Sequence, residues 1–220
     1  MKRLYIALVL IATFHNAFSK EKKSVENKDY QFDGMISREV LENYLARSST
    51  FGSLLHLTLE DDLRMIKNTG VKFAGRAIWM WGGESKIDEL VRVGEPFAKR
   101  IHEIDPDIIL QGAIFEVVTK DINNVAIPES VFEEFGVPKE PRNFSYKAML
   151  YPFGHRHNHW SKDSSVPDMS RLETRMWFFY VAKRWIDMGI EAIHFGQVEI
   201  MDDWDRSHRH WRDIMKRIRD

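Results

Sequence analysis

The chain repeats one arrangement three times: a charged amphipathic helix ends at a breaker residue, and a short apolar strand then ends near a carboxylate. The predicted strands are residues 71–81, 108–118 and 190–200. Strands that alternate with helices predict a parallel sheet, because each helix returns the chain to the edge where the next strand starts. Parallel α/β folds carry their functional groups at the carboxyl ends of the strands. A functional site is therefore expected at the ends of these three strands.

This repeat predicts an α/β fold of the (β/α)8 TIM-barrel type. A closed eight-stranded barrel takes about 250 residues, whereas only three or four strands are predicted here. No strand is predicted after the last helix, although a helix in such folds is normally followed by the strand beside which it packs. We expect about the N-terminal half of a barrel, and a small open α/β sheet, complete as written, is the alternative. Helices are predicted at 37–46, 59–69, 85–103, 128–135, 171–188 and 207–219, and a further strand at 143–151.

The helix predicted at 171–188 has the clearest start and end signals. Ser170 and Glu173 form a capping-box pattern, and Gly189 ends the helix. Large apolar residues lie nearly all round it, which is typical of a helix buried between neighbours. We expect this helix to pack in the wall of the fold.

The first 19 residues predict a secretory signal peptide. A basic start precedes an almost wholly apolar run at 4–14, and small residues at positions 17 and 19 suit cleavage before Lys20. An uncleaved membrane anchor is the alternative, although a span needs about 20 apolar residues. The predicted organisation is a signal peptide at 1–19, a charged linker at 20–32 and a barrel domain at 33–220 that is incomplete at its C-terminus.

The composition of the chain limits the cellular compartment and the classes of partner that we expect for this protein. The chain has no cysteine, and its 32 basic and 33 acidic residues nearly balance. An exported protein without disulfides suits a bacterial periplasm or surface, so we expect a secreted or periplasmic protein that leaves the membrane once its signal is cleaved. No basic stripe indicates a nucleic-acid partner, and no nucleotide-binding motif indicates a cofactor. The oligomeric state stays open.

Two glutamates lie near the ends of the second and third predicted strands. Strict alternation places Glu116 on the face of Ile114, and Glu199 on the face of Gln197. We expect these faces to line the barrel interior, and the opposite face of the third strand, which carries His194, to meet helices. Two acids at one rim match glycosidic cleavage, in which one carboxyl protonates the leaving oxygen and the other acts as nucleophile or base. The structural alternative is that each glutamate bonds a neighbouring loop or arginine.

The first strand runs into two tryptophans and a pair of glycines. The indole of Trp81, near the rim, could stack on the apolar face of a sugar, whereas Trp79 is better explained by packing against helices. Glycines 82 and 83 permit a sharp turn or a close approach to a ligand. Glu84 follows them at the predicted rim and is a candidate for substrate contact.

Three further side chains are candidates for substrate contact. Gln197 and His194 belong to the third strand. Arg76 lies in the middle of the first strand, with the parity of Ile78, and it could pair with a rim glutamate and hold that carboxyl ionised.

Histidines alternate at positions 155, 157 and 159. An extended segment could present them to zinc or another transition metal, although no acidic partner is evident. The simpler interpretation is a polar, exposed loop, so no metal is predicted and a metal-dependent hydrolase is the weaker alternative. Acids at 202, 203 and 205 lack the glycine and the distal glutamate of a calcium loop.

Several strings resemble a group of uncharacterised bacterial secreted proteins with a glycoside-hydrolase-like TIM barrel. They lie at residues 33–39, 81–84, 114–116, 165–168 and 191–199, and the last is the most specific. The resemblance covers about residue 33 to the C-terminus, and members of the group are longer. It implies a (β/α)8 domain with a carbohydrate pocket, and it carries Glu116 and Glu199 over as site candidates without implying a reaction.

Two functions on one scaffold follow as hypotheses. The first is a secreted glycoside hydrolase that uses Glu116 and Glu199 in an order that the sequence leaves open. The second is a non-catalytic carbohydrate-binding or surface protein, in which the same glutamates would bond sugar hydroxyls.

Overall fold

Helices alternate with strands through the residues that the structure describes, 37–50 and 59–220. In this computed structural model the strands are β1 (Ser48–Thr50), β2 (Phe73–Ile78), β3 (Ile109–Ile114), β4 (Val118–Thr119), β5 (Ser164–Ser165) and β6 (Ala192–Phe195). The helices are α1 (Arg38–Leu45), α2 (Leu59–Thr69), α3 (Ile87–Ile104), α4 (Glu129–Glu134), α5 (Tyr146–Met149), α6 (Leu172–Asp187), α7 (Val198–Met201) and α8 (Arg209–Arg219). Residues 41–220 group into one compact unit, which contains the site.

The central sheet has four strands in the order β1, β2, β3, β6, and every neighbouring pair is parallel. Helices α2, α3 and α6 lie in the connections between these strands. The prediction of an α/β fold with a parallel sheet is therefore confirmed. Strand β1 had no counterpart among the predicted strands, because its sequence, Ser-Ser-Thr, carries no apolar signal. Strands β4 and β5 form a separate antiparallel pair.

One face of the sheet packs on the helices and forms the core. Ile78 of β2 lies against Gly94 of α3, and Trp185 of α6 lies against Gly112 of β3. A Cβ at Gly112 would come within 2.8 Å of the Trp185 ring, so a larger residue there would push α6 away. Helix α6 is buried around most of its circumference, as its sequence predicted.

The faces of the sheet are the reverse of those predicted. Ile114 is buried in the core, and Phe195 packs on the helix-side rings of Phe178 and Trp211. His194, which was expected to meet helices, instead lies on the open side of the sheet.

The sheet faces are predicted wrongly because the strands are shorter than the sequence suggests. Strict alternation was extended to residues 118 and 200, but β3 ends at Ile114 and β6 ends at Phe195. The backbone turns after each of these residues. Glu116 and Glu199 therefore reach the open side from the segments that follow the strands, and not from the strands themselves.

The predicted capping box at α6 is wrong. The helix begins at Leu172 and has no side-chain cap. Glu173 instead accepts two hydrogen bonds from the Arg142 guanidinium, at 2.7 and 3.0 Å, and one from the Ser145 N–H at 2.8 Å. A bidentate ion pair with a distant segment outcompetes a local cap, because charge-assisted hydrogen bonds are the stronger ones.

The strand predicted at 143–151 is also wrong. This segment contains helix α5, whose first turn is capped by the Ser145 hydroxyl, which accepts the Ala148 N–H at 3.3 Å. The apolar residues Tyr146 and Met149 are three positions apart and both buried, which is helical spacing.

The predicted signal peptide at 1–19 and linker at 20–32 lie outside the described residues and stay predictions. Among residues 37–50 and 59–220, no helix combines the length and the apolarity that a membrane span requires.

Candidate functional site

A cleft of about 820 Å³ opens at the carboxyl ends of β2, β3 and β6. Aromatic rings form much of its wall, and its polar side chains include two carboxylates, a guanidinium, an imidazole and an amide. The structure brings six of the seven predicted site residues into this cleft, and Glu84 is the one that it places elsewhere. The lining residues are Thr50, Arg76, Trp79, Trp81, Phe115, Glu116, Trp160, His194, Gly196, Gln197 and Glu199.

Glu116 is held in a fixed orientation in the cleft wall. It lies just past the end of β3 and is 3% exposed. Its Oε2 accepts the backbone N–H of Gln197 at 2.8 Å, and its Oε1 accepts from the Gln197 side-chain amide at 3.0 Å. Its main-chain carbonyl accepts the indole N–H of Trp160 at 3.0 Å. Two charge-assisted hydrogen bonds from one residue give the carboxylate a defined position.

Gly196 is required by the position of the Glu116 carboxylate. A Cβ on residue 196 would lie 1.8 Å from Glu116 Oε2 and 3.2 Å from the Glu116 backbone nitrogen. The Gly196 N–H also donates to the Ile114 carbonyl at 3.0 Å, which fixes the backbone beside the glutamate. Only a residue without a side chain leaves room for the carboxylate here.

Glu199 lines the same cleft from a different kind of element. It was predicted at the end of a strand, but it lies in the short helix α7, and it is exposed. The pKa of the nearby Arg156 is raised chiefly by a hydrogen bond to Asp203, with a smaller contribution from the charge of Glu199. The two glutamates thus differ in environment, since Glu116 is buried and bonded whereas Glu199 faces solvent.

Four aromatic rings make up the cleft wall. Trp81 packs on Trp160 with ring centres 5.0 Å apart and on Phe115 at 5.5 Å, and Trp79 meets Phe115 edge-on at 5.8 Å. The expectation that Trp79 packs against helices is wrong, because its ring lines the cleft. The sequence does not identify Phe115, which strict alternation places on the face opposite Glu116, or Trp160, whose position depends on its contact with the distant Glu116.

Arg76 and His194 lie next to the aromatic wall. The Arg76 guanidinium lies 5.5 Å above the Phe115 ring, and the His194 ring meets the edge of Phe115 at 6.1 Å. Burial, and next the charge of Arg76, lowers the pKa of His194 from its usual 6.5, against an opposite effect of Glu116. His194 is therefore neutral at neutral pH and can both donate and accept a hydrogen bond. The predicted pairing of Arg76 with a rim glutamate is not found among the described residues.

Glu84 is a buried residue of the scaffold. It is 1% exposed, and its oxygens accept the Thr119 N–H at 2.7 Å and the Thr119 hydroxyl at 2.5 Å. Burial raises the pKa of Glu84 above its usual 4.5, against the opposing effect of these hydrogen bonds. The carboxylate ties the loop after β2 to β4, and in this structure it does not reach the cleft.

The histidines at 155, 157 and 159 bind three separate partners. His155 pairs with Asp203 at 2.8 Å, His157 bonds the Tyr151 carbonyl at 2.7 Å, and His159 packs on Trp160. Within the described part of the chain, no three His, Asp or Glu side chains are grouped so that they could hold a metal ion.

The cleft can stack on a flat apolar ring face and exchange hydrogen bonds with hydroxyl groups, and two carboxyl groups line it. Its chemistry is that of a site for a small polar ligand with apolar faces. No protein-family model, curated protein or solved structure matches the chain.

Proposed function

We propose that this cleft binds carbohydrate and that Glu116 and Glu199 cleave a glycosidic bond within it. The observation that carries the proposal is the convergence of two glutamates, distant along the chain, on one aromatic-walled cleft at the carboxyl edge of a parallel sheet. Glycosidic cleavage needs one carboxylic acid for the leaving oxygen and one carboxylate as nucleophile or base. Aromatic rings provide the apolar surface against which sugar rings pack.

The environments of the two glutamates favour a division of roles. Glu116 is buried and oriented by Gln197, which suits the carboxylate that must hold one direction toward the sugar. Glu199, the second glutamate of the cleft, would then be the general acid that protonates the leaving oxygen. Neutral His194 is placed to bond a sugar hydroxyl.

One observation favours a second function, non-catalytic carbohydrate binding. Both carboxylate oxygens of Glu116 already accept hydrogen bonds, and little of the side chain faces the cleft. In that case the glutamates would position hydroxyl groups, and the aromatic wall would supply most of the affinity.

Hydrolysis and binding measured on the same oligosaccharide panel separate the two functions. We expect Glu199→Gln to lower turnover by about 10²- to 10⁴-fold while binding stays within about threefold of wild type. Glu89→Gln, at an exposed position on α3 outside the cleft, is the matched control. Full hydrolysis by the Glu199 variant would remove Glu199 from the mechanism. Binding by the wild type without release of product would favour the second function.

We also propose that the four-stranded sheet is part of a (β/α)8 barrel. The strands lie in the sheet in the order of the chain, and the described helices that connect them pack on one face, which supports a barrel over a doubly wound sheet. An experimental structure with a helix packed on the face that carries Gly75 and Phe115 would contradict this assignment.

Export of the protein is a further proposal, supported by the apolar run and the small residues before Lys20. N-terminal sequencing of the protein recovered from a bacterial periplasm or culture medium should start at Lys20. A mature protein that starts at Met1 would contradict the proposed cleavage.

A further inference from the structure

Arg76 is a charged side chain of the cleft, and it has no charged partner among the described residues. It is exposed, and no ion pair or hydrogen bond joins it to another residue in the ranges 37–50 and 59–220. Other arginines of the fold are used differently, since Arg142, Arg156 and Arg217 each hold a carboxylate. The Arg76 guanidinium lies over the Phe115 ring of the cleft wall.

An irregular stretch of β2 turns this side chain into the cleft. Ala74 pairs with Leu110 and Ile78 pairs with Gly112, so residues 75–77 of β2 lie opposite the single residue 111 of β3. Arg76 lies inside this stretch with a φ of 56°, in the left-handed region that side chains other than Gly, Asn and Asp rarely adopt. Strict alternation would place it on the helix side with Ala74 and Ile78. The strained backbone places it on the open side instead, and strain of this kind clusters at ligand sites.

The surrounding groups leave the charge of Arg76 available. Glu116 and Glu199 line the same cleft, but neither carboxylate forms an ion pair with Arg76; the Glu116 oxygens accept hydrogen bonds from Gln197, and His194 is neutral at neutral pH. Arg76 and His194 also border a second cavity of about 500 Å³. Its polar lining includes Ser48, Ser49, Thr50 and Gln111.

We propose that Arg76 binds the carboxylate of an acidic sugar, so that the cleft takes oligosaccharides containing uronic acid. This inference rests on the proposed carbohydrate function and names its substrate class. A planar guanidinium matches a carboxylate through two parallel N–H donors. A neutral sugar in the same place would offer Arg76 only hydroxyl oxygens, which form weaker hydrogen bonds with a guanidinium than a carboxylate does. The hydroxyls and the amide of the second cavity can bond the remaining hydroxyl groups of the acidic ring.

Matched pairs of oligosaccharides that differ only in charge provide the test. The probes are oligogalacturonides and their methyl esters, and cello-oligosaccharides and their C6-oxidised forms, titrated by calorimetry at low salt. We expect an acidic member of a pair to bind about tenfold tighter than its neutral partner. Arg76→Gln should abolish this preference without weakening the neutral partner. Arg64→Gln, which removes the same charge from an exposed ion pair on α2, should keep it.

Each other outcome counts against the inference. Equal binding of neutral and acidic sugars, or a preference that survives in Arg76→Gln, would overturn it and leave the carbohydrate cleft standing. Binding of no oligosaccharide of either class would overturn both. A preference for a sulfated oligosaccharide over the uronates would overturn the choice of carboxylate. If Arg76→Gln fails to fold, Arg76→Lys decides, because it keeps the charge but loses the planar donor pair and should weaken only the acidic sugars.

Discussion

The substitution Gly196→Ala tests whether the glutamate site depends on the close approach of Glu116 to residue 196. The new methyl group would start 1.8 Å from Glu116 Oε2, whereas ordinary contacts begin at 3.4 Å. The carboxylate cannot retreat that far and keep both hydrogen bonds to Gln197, which are 2.8 and 3.0 Å long. We therefore expect Glu116 to leave its place in the cleft wall.

The loss of stability in Gly196→Ala follows from the two hydrogen bonds that the Glu116 carboxylate would lose. A hydrogen bond to a charged group contributes about 1.5–3 kcal/mol, and a displaced Glu116 regains part of this from water in the cleft. We expect Gly196→Ala to lower the free energy of unfolding by about 2–4 kcal/mol, which corresponds to a Tm lower by about 5–15 °C for a domain of this size. Calorimetric or fluorescence-detected thermal unfolding measures this directly.

Gly75→Ala is the matched control, because a Cβ at that position of the same sheet meets nothing closer than 3.6 Å. Its Tm should stay within about 2 °C of wild type. In a Glu116→Ala background, Gly196→Ala should lose most of its effect, since the atom that it strikes is gone. A Gly196→Ala protein as stable as Gly75→Ala, or an undiminished loss in the Glu116→Ala background, would refute the reasoning.

Three further predictions follow from other contacts. Burial raises the pKa of Glu84 above 4.5, so the folded state holds this proton more tightly than the unfolded chain, and stability falls as pH rises from about 4.5 toward the raised pKa. Glu84→Gln should lack this fall when its Tm is compared with that of wild type between about pH 4 and pH 8. Parallel curves of Tm against pH for the two proteins would contradict the prediction. Glu173→Ala should lower the free energy of unfolding in urea by about 2–3 kcal/mol, because it removes three hydrogen bonds. Ser170→Ala should lower it by less than about 0.5 kcal/mol. Equal losses in the two variants would support the capping box instead. Trp81→Ala should weaken oligosaccharide binding by about 3- to 10-fold in calorimetric titrations, and unchanged affinity would remove the ring from the site.

Hydrophobic periodicity and helix-breaking residues predicted most of the helices and strands of the central sheet. Helix α6 and the glycine after it were placed almost to the residue, because a long apolar helix with a clear stop is a strong local signal. The alternation of helices and strands also predicted a parallel sheet, and the cleft lies at the carboxyl ends of its strands. Both predictions depend on patterns that are local in the sequence, and local patterns survive in the fold.

The orientation of the site residues could not be predicted in the same way. Whether Glu116 lies in a strand or after it depends on where β3 ends, and the apolar run at residues 108–118 does not mark that end. The irregular backbone at Arg76 had one available signal, Gly75 inside an apolar strand, since an isolated glycine in a strand often marks a bulge. Trp160 had none, because its place is set by a hydrogen bond to a residue far away in the chain.

The most direct measurement of the central claim is a crystal structure of Glu199→Gln soaked with an oligosaccharide that the wild type binds. We expect a sugar ring against Trp81, with its glycosidic oxygen between Glu116 and residue 199. A sugar bound anywhere outside this cleft, or a Glu116 side chain turned in among the helices, would contradict it.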